Sequence, residues 1–411
     1  MHYLTAQWLL PITASPVKNG YLAIENGRIL DVGRISDLPE GAELSSPVPG
    51  TFITPGLVNA HAHLEQSWPT AIPLVAGETF PKWLWRVTQS NRAFNSAAER
   101  AARAAAGAEE LLETGTTCVN DIASGPESLH MLDKKGLRGI VSLECFHPDS
   151  DHIDISHIAL SYSRFREGYE RHPLLKTGLS PHSPYNFSPA AWKAVLDTCK
   201  PPVIHTHLAE CEDEVRYLQG EPSNLPELHR LILGRVFRPQ DAADSPVAYL
   251  ARYGLLTDST IAAHVVHTNL KDRDMLAKSG VAVVHCPRSN LALHGRTLQW
   301  PDWQVNSASF ALGTDGRLST ENLDLRAEAR CAMRLHGWHA AEALNMLTLG
   351  GARVMRMEAE IGSLEPGKWA DVVLWQADSQ RLETPEENVM AESTSVRQVW
   401  VAGQSCWEAA C

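Results

Sequence analysis

The chain has 411 residues, enough for one large α/β domain with an appendage or for two domains. Its 36 basic and 48 acidic residues give a formal net charge of −12, which argues against nucleic acid or an anionic membrane as the main partner. Its 8 cysteines lack Cys-x-x-Cys spacing, and the sequence shows neither a signal peptide nor a membrane span, so we expect a soluble, cytoplasmic protein.

Both ends of the chain carry short β-like segments separated by turn-rich sequence. These segments are 3–11, 20–25 and 28–32 near the start, and 370–375 and 396–401 near the end. The turn Glu25-Asn26-Gly27 is a typical hairpin signal. We therefore expect residues 1–53 and 356–411 to pair into one small β-sandwich domain.

Residues 54–355 alternate between apolar, strand-like segments and helical segments, a pattern typical of repeated βα units. Eight candidate strands end near His61, Asp121, Phe146, His182, His207, His267, Ser289 and Asp315. Capping residues mark the helices that begin after Ser96, Ser188 and Asn269. Eight such units predict an α/β fold with a (β/α)8 TIM-like barrel, whose chemistry occurs at the C-terminal ends of the strands.

The first of these strands ends in His61-Ala62-His63. Side chains two residues apart on a strand point to the same side, so these two imidazoles are neighbours. Such a pair is half of a metal site, although a surface strand can also hold two histidines without binding a metal.

The later strands supply further groups that bind metals. The fifth ends in His205-Thr-His207-Leu-Ala-Glu210, the sixth carries His264 and His267, and Asp315 follows the eighth. Buried imidazoles and carboxylates are costly unless they are paired or bound to a metal. Their collection at one end of a barrel therefore predicts a metal centre.

The segments that carry these residues resemble motifs of a known superfamily. They are Pro55-Gly-Leu-Val-Asn-Ala-His-Ala-His63, His205-Thr-His-Leu-Ala-Glu210, Cys286-Pro-Arg-Ser-Asn-Leu291, Leu312-Gly-Thr-Asp315 and Gly362-Ser-Leu-Glu-Pro-Gly-Lys-Trp-Ala-Asp371. The chain resembles, over nearly its whole length, the amidohydrolase superfamily in the branch of cytosine deaminase-like and adenosylhomocysteine/methylthioadenosine deaminase-like enzymes.

This resemblance implies that one divalent metal is held by His61, His63, His207 and Asp315. Zn²⁺ is the first choice, and Fe²⁺ or Mn²⁺ would accept the same ligands. The resemblance also implies that Glu210 moves a proton from a metal-activated water to the substrate. His264 would orient that water, and Asp315 would help to take its proton.

Other residues near these motifs have simpler expected roles. The resemblance places the ligand at the second histidine of the fifth strand, which leaves His205 as a supporting residue, and we expect His267 to be a packing residue. Ser289 and Asn290 are expected to fix loop geometry through bonds from their side chains to the backbone.

The end of the fourth strand, Leu179-Ser-Pro-His-Ser-Pro-Tyr185, lacks the bridging lysine of binuclear hydantoinase-like and dihydroorotase-like relatives. The resemblance therefore implies a mononuclear site, which favours deamination over hydrolysis of a cyclic amide. His182 in this segment resembles a histidine that contacts the purine in nucleoside deaminases.

Two long insertions, 64–95 and 211–258, are candidate substrate walls or lids. In the first, His63-Leu-Glu65 and Phe80-Pro-Lys-Trp83 resemble aminodeoxyfutalosine deaminases of menaquinone synthesis. Lys82 stands where adenosylhomocysteine-type relatives commonly have a glutamate that holds the ribose. A lysine would suit a carboxylate, such as the benzoate of aminodeoxyfutalosine, but it could equally be a solvated residue. Aromatic rings that could stack on a base, or simply pack, are Trp68, Trp83 and Trp85.

The expected function is hydrolytic deamination of a 6-aminopurine nucleoside at its amino-bearing ring carbon, with aminodeoxyfutalosine preferred and Glu65, Lys82, Trp83 and His182 as substrate-binding residues. The alternatives are a methylthioadenosine/adenosylhomocysteine deaminase and a hydrolase of another heterocycle leaving group, as in triazine chlorohydrolases. A metal-free binding protein should have lost a ligand, and this chain keeps all four. Since the family is commonly dimeric, the resemblance also implies a homodimer.

Overall fold

The computed structural model describes residues 1–38, 46–67, 72–93, 96–149, 151–300, 303, 309–377 and 383–410. The strands are β1 (His2–Leu9), β2 (Val17–Glu25), β3 (Arg28–Arg34), β4 (Thr51–Pro55), β5 (Leu57–Ala62), β6 (Thr116–Ala123), β7 (Arg138–Cys145), β8 (Leu175–Pro181), β9 (Ile204–Leu208), β10 (Thr260–His264), β11 (Ala282–His285), β12 (Phe310–Leu312), β13 (Val372–Gln376), β14 (Ser395–Val401) and β15 (Gln404–Glu408).

The α-helices are α1 (Phe80–Ala93), α2 (Ala97–Glu113), α3 (Glu127–Lys135), α4 (Ser156–Arg166), α5 (Pro189–Cys199), α6 (Glu212–Leu218), α7 (Leu225–Leu233), α8 (Pro246–Arg252), α9 (Leu270–Lys278), α10 (Pro287–His294), α11 (Leu325–His336), α12 (Ala340–Asn345), α13 (Gly351–Val354) and α14 (Pro385–Met390). Among the described residues, no helix combines the length and the apolar character that crossing a bilayer requires.

The two chain ends pair into one sheet, as the sequence predicts. Its seven strands lie in the order β15-β14-β13-β4-β1-β2-β3, so that hydrogen bonds run continuously from the last strand of the chain to the third. The apolar core of this sheet takes side chains from both ends of the chain, including Leu22, Ile53 and Val372. β4 crosses the expected boundary between residues 53 and 54, and the domain limits themselves stay predictions.

The predicted barrel of eight parallel strands is confirmed. Its strands follow the chain in the order β5 to β12, each hydrogen-bonded to the next. The barrel closes where Asp315, just after β12, pairs with Ala62 at the end of β5. The backbone amide of Asp315 donates to the carbonyl of His61 over 3.1 Å. This closure brings residues 254 positions apart in the sequence into direct contact.

Three predicted strand ends are wrong. The eighth barrel strand ends at Leu312 rather than Asp315, which follows it. The sixth barrel strand ends at His264 rather than His267, because the backbone turns to positive φ at His264 (73°) and Val265 (49°) and cannot continue as a strand. The seventh ends at His285 rather than Ser289, because Pro287 begins α10 at a position where a helix tolerates its missing N–H. Ser289 is therefore a helical residue.

The predicted helix starts are confirmed by their caps. Ser96 and Asn269 form capping boxes, in which the side chain accepts from the backbone of the third helical residue and that residue bonds back. The hydroxyl of Ser188 accepts from the amide of Ala191. Local sequence signals therefore set these helix starts.

A buried ion pair joins the barrel to the sheet of the chain ends. Arg138, at the start of β7, donates from its guanidinium to both carboxylate oxygens of Asp371, over 2.6 and 3.1 Å. The side chains are 3% and 2% exposed, respectively. The amide of Ala402 also donates to Asp371, over 2.8 Å. Removing one partner would leave the other charge buried and unpaired.

Replacing Arg138 with methionine is expected to lower the free energy of unfolding by about 3–5 kcal/mol, the usual cost of breaking a buried ion pair from one side. Urea unfolding followed by circular dichroism measures this loss. The control is Arg216→Met, because Arg216 pairs with Glu212 on the surface and such pairs contribute about 1 kcal/mol or less. Equal effects of the two substitutions would contradict the stabilising role of the buried pair.

Candidate active site

The groups that the sequence predicts as metal ligands meet at the C-terminal end of the barrel. His61 and His63 lie at the end of β5, His207 lies on β9, and Asp315 follows β12. Nε2 of His61 and Nε2 of His63 each lie 3.5 Å from Oδ1 of Asp315. Nε2 of His63 lies 3.2 Å from Nε2 of His207. Four donor atoms therefore converge.

Neighbouring groups orient these ligands. The Nδ1–H of His207 donates to the carbonyl of His182 over 2.9 Å, which leaves the lone pair of Nε2 facing the centre. Oδ2 of Asp315 accepts from the hydroxyls of Ser289 (2.6 Å) and Ser319 (3.0 Å), which leaves Oδ1 for the centre. Ser289 thus bonds to a ligand side chain rather than to the backbone, which corrects its expected role.

The charge states suit a cation. Burial lowers the pKa of His61, His63 and His207, that of His63 to about 3, so these imidazoles are neutral ligands. Burial alone would raise the pKa of Asp315, but the neighbouring imidazoles of His61, His264 and His63 hold it well below its ordinary value. Three neutral nitrogen donors and one carboxylate are a typical set for zinc and related divalent metals.

The environment of His61 gives an independent indication of a bound ion. The side chain is fully buried, and neither ring nitrogen has a hydrogen-bond partner of normal geometry. Its ring stacks on that of His205 at 4.8 Å with an interplanar angle of 15°, so His205 supports the ligand, as expected. A buried imidazole without a partner is costly, and a metal at the centre removes that cost.

Glu210 lines a cavity beside the four donors, together with His264 and His182. Its Oε1 lies 3.2 Å from Nε2 of His294 on α10. Burial alone would raise the pKa of Glu210, but His264 and the hydrogen bond from His294 lower it overall, so the group is an ionised proton acceptor. The carboxylate of Glu214 accepts from the backbone amide of Glu210 over 2.9 Å and so holds this segment in place.

His264 faces the same centre from β10. Its Nδ1 donates to Oδ1 of Asn290 over 2.9 Å, so Asn290 orients a site side chain rather than a loop backbone, which is a second correction. His264, Val265, Ala209 and Asp315 are non-glycine residues with φ between 49° and 73°. Each such conformation costs about 1–3 kcal/mol and is typical of functional sites, where surrounding structure holds a side chain in a required direction.

Two of the four residues predicted to bind substrate line the cavity. His182 and Trp83 line the cavity, and Trp83 belongs to α1, which forms one wall. Glu65 and Lys82 are not among the described residues that line this cavity. The Glu65 side chain accepts from the backbone amide and hydroxyl of Ser124, and Lys82 is exposed to solvent.

The remaining tryptophans of the first insertion give no further support for base stacking. Trp85 is partly exposed on α1 and is not among the described residues that line the cavity, while Trp68 lies outside the described residues.

Sequence reasoning missed three groups at this site. They are Glu144, which lines the cavity, His294, which contacts Glu210, and Glu214, which holds the backbone of Glu210. His294 follows Asn290 by four residues on α10, so the two share a helix face, and that spacing was an available signal. Burial raises the pKa of Glu144 to about 8.

Gly313 allows β12 to approach β5 at the metal centre. A Cβ at this position would lie 2.8 Å from Cβ and the carbonyl oxygen of His61. Gly313→Ala is therefore expected to displace His61, weaken metal binding by about 10- to 100-fold and cost about 1–3 kcal/mol in stability. Competition with a chelator measures the affinity, and thermal unfolding measures the stability.

The control is Gly254→Ala, since Gly254 has a φ of +69° and nothing within 4 Å of an added Cβ. It should show only the cost of about 1–2 kcal/mol for an alanine at positive φ, with metal affinity unchanged. Metal affinity of Gly313→Ala equal to that of the unsubstituted protein would contradict the close approach.

Comparison with known proteins agrees with this geometry. The profile of the Amidohydrolase family matches residues 52–406. The chain belongs to the amidohydrolase family. It is 30% identical to the 5-methylthioadenosine/S-adenosylhomocysteine deaminase of Teredinibacter turnerae, over 98% of this chain and 91% of that protein. It is 28% identical to the 5′-deoxyadenosine deaminase of Methanopyrus kandleri, over 94% and 88% of the two chains.

Solved structures of similar fold include an adenosine deaminase from Xanthomonas campestris with bound zinc. It is 26% identical, with a TM-score of 0.83 over 98% of this chain and 92% of that chain. The aminofutalosine deaminase of Helicobacter pylori has a TM-score of 0.84 over 98% and 100% of the chains, but at 19% identity it shows the fold alone.

Proposed function

We propose that this protein is a metal-dependent hydrolytic deaminase of 6-aminopurine nucleosides. The observation that carries the proposal is the convergence of four ligand atoms beside a cavity that also contains Glu210 and His264. This arrangement supplies ligands, a proton acceptor and a polar group in one place. Family membership and nucleoside deaminase relatives at 28–30% identity over nearly the whole chain support it.

His61, His63, His207 and Asp315 would hold the metal, with Zn²⁺ proposed first because of the donor set and Fe²⁺ or Mn²⁺ as alternatives. Such a metal supplies a water that ionises near neutral pH. Asp315, whose Oδ2 is fixed by two serine hydroxyls, helps to accept the proton of that water.

The residues of this chain move the protons of the reaction. Glu210 takes a proton from the attacking water and delivers it to the ring nitrogen next to the amino-bearing carbon. His264, oriented by Asn290, holds the attacking oxygen in line with that carbon. The second proton of the attacking oxygen, which Asp315 helps to accept, then passes through Glu210 to the amine, the C–N bond breaks with its electron pair going to the nitrogen, and ammonia leaves. The oxygen of water remains on the ring carbon, so all atoms are accounted for.

Within this class we propose methylthioadenosine or S-adenosylhomocysteine as the substrate type, because relatives that bear those names match over nearly the whole chain. Aminodeoxyfutalosine is the second candidate. Its support is Lys82 on α1, the helix that forms one cavity wall. The side chain is exposed, so a benzoate would have to reach the outer rim of the site to contact it.

A substrate panel tests the proposal. Values of kcat/KM are measured for methylthioadenosine, S-adenosylhomocysteine, 5′-deoxyadenosine, aminodeoxyfutalosine, adenosine, cytosine and a chlorinated triazine. We expect a 5′-substituted adenosine to be preferred. Lys82→Ala should lower kcat/KM only for aminodeoxyfutalosine if Lys82 binds its carboxylate. If only the chlorinated triazine were turned over, the protein would be a dehalogenating hydrolase, and the proposed deamination would be contradicted. The expected homodimer and cytoplasmic location stay predictions.

A further inference from the structure

His294, the last residue of α10, contacts Glu210 without lining the cavity. Its Nε2 lies 3.2 Å from Oε1 of Glu210, and the two side chains are 6% and 7% exposed, respectively. Glu210 is among the described residues that line the cavity, and His294 is not. His294 therefore touches the proposed proton carrier but is not placed to touch the substrate, so its effect on the reaction is expected to pass through Glu210.

The hydrogen bond engages one of the two carboxylate oxygens of Glu210. An ionised carboxylate can only accept, so Nε2 of His294 carries the proton and donates it to Oε1. Within the described part of the chain, the carboxyl group of Glu210 has no second hydrogen-bond partner. Oε2 is thus left for the protons that the reaction moves. Because a glutamate side chain has several rotatable bonds, holding one oxygen also restricts the positions of the other.

The ring of His294 is itself held from two sides. On one side is α10, the same helix that carries the groups bonded to Asp315 and to His264, over 2.6 and 2.9 Å. On the other side, the ring packs at 5.0 Å against that of Phe80, the first residue of α1. One helix therefore supports a metal ligand, the group that orients the water and the proton carrier together, and a cavity wall holds its last side chain in place.

We propose that His294 is the positioning residue of the proton carrier. By holding Oε1 of Glu210, it keeps Oε2 beside both the attacking water and the nitrogens that receive its protons. A group that serves an oxygen and then two nitrogens has to stay within about 2.6–3.2 Å of each in turn. The inference rests on the proposed function, since it concerns how Glu210 performs the proton transfers of that reaction.

Two amide substitutions separate the hydrogen bond from the rest of the His294 side chain. Glutamine places an N–H about where Nε2 of histidine lies, whereas asparagine is one carbon shorter and cannot reach Oε1 of Glu210. His294→Asn is expected to lower kcat by about 10- to 100-fold, with KM changed by less than about threefold, because a hydrogen bond to a charged group is lost. His294→Gln should keep kcat within about threefold of that of the unsubstituted protein, because it keeps this bond. Both constants are measured by ammonia release from the nucleoside that the protein deaminates best.

Combining substitutions tests whether His294 acts through Glu210. In a Glu210→Gln protein, adding His294→Asn should lower kcat by less than about twofold, because the group on which His294 acts is already gone. The matched control is His130→Asn, which changes an exposed histidine on α3 and should leave both kcat and KM unchanged.

A kcat of His294→Asn within about threefold of the unsubstituted value would overturn the proposal, because the lost bond would then not matter. Equal losses in His294→Gln and His294→Asn, or the same loss with and without Glu210, would also overturn it, since His294 would then act on the fold. Failure of both variants to fold has the same meaning. If the unsubstituted protein releases no ammonia from any nucleoside, the proposed function itself fails, and that result is known before any variant is compared.

Discussion

Replacing Glu210 with glutamine is expected to lower kcat by about 100- to 10,000-fold, the usual contribution of general acid–base catalysis. Glutamine fills the same space and can still contact His294, but it can neither take a proton from water nor deliver one to the ring nitrogen. Metal content should not change, because Glu210 is not among the four converging ligands. Steady-state kinetics and metal analysis of the same preparation measure the two quantities.

The matched control for this substitution is Glu212→Gln, two residues along the chain and on the surface. It should retain the activity of the unsubstituted protein. A Glu210→Gln protein that keeps its metal and more than a tenth of the original kcat would contradict the role of Glu210 as the proton carrier. A protein that loses its metal would instead show that Glu210 supports the ligand set.

Removal of the metal is expected to abolish ammonia release. The donor atoms of His61, His63, His207 and Asp315 converge, and a metal held there would supply a water that ionises near neutral pH. Dialysis against a chelator should remove activity, and adding back Zn²⁺, Fe²⁺ or Mn²⁺ should restore it to an extent that identifies the preferred metal. His207→Ala should prevent the restoration, because it removes a ligand that is already oriented by the carbonyl of His182.

The control for the ligand substitution is His130→Ala, which changes an exposed histidine on α3. It should bind metal and recover activity like the unsubstituted protein. Activity that survives exhaustive chelation would contradict the metal-dependent reaction. Full recovery of His207→Ala on addition of metal would show that His207 is not a ligand.

Much of the fold could be predicted from the sequence because its signals are local. The capping residues Ser96, Ser188 and Asn269 determine where helices begin, and each is confirmed. The end of β10 was misplaced because the apolar run continues to Val266 while the backbone turns at His264. The positive φ of a valine has no sequence signal, since the surrounding structure imposes it.

The candidate site was predictable to the extent that its residues lie in motifs. His61 and His63 lie two residues apart at the end of one strand, and Asp315 follows a typical apolar strand. Glu144 carried no such signal, because a single carboxylate at a strand end becomes notable only when its neighbours leave it without a partner. Lys82 was singled out by its place in a motif, and its side chain is exposed to solvent, so its role in binding substrate stays a prediction.

The central claim is that this site replaces the 6-amino group of a purine nucleoside with oxygen from water. The most direct test incubates the zinc-loaded protein with methylthioadenosine in ¹⁸O-labelled water and follows ammonia and the nucleoside product by mass spectrometry. The account predicts one ammonia per product molecule and one ¹⁸O atom on the ring carbon that carried the amino group. Substrate that stays unchanged, or cleavage of the sugar–base bond instead, would contradict it.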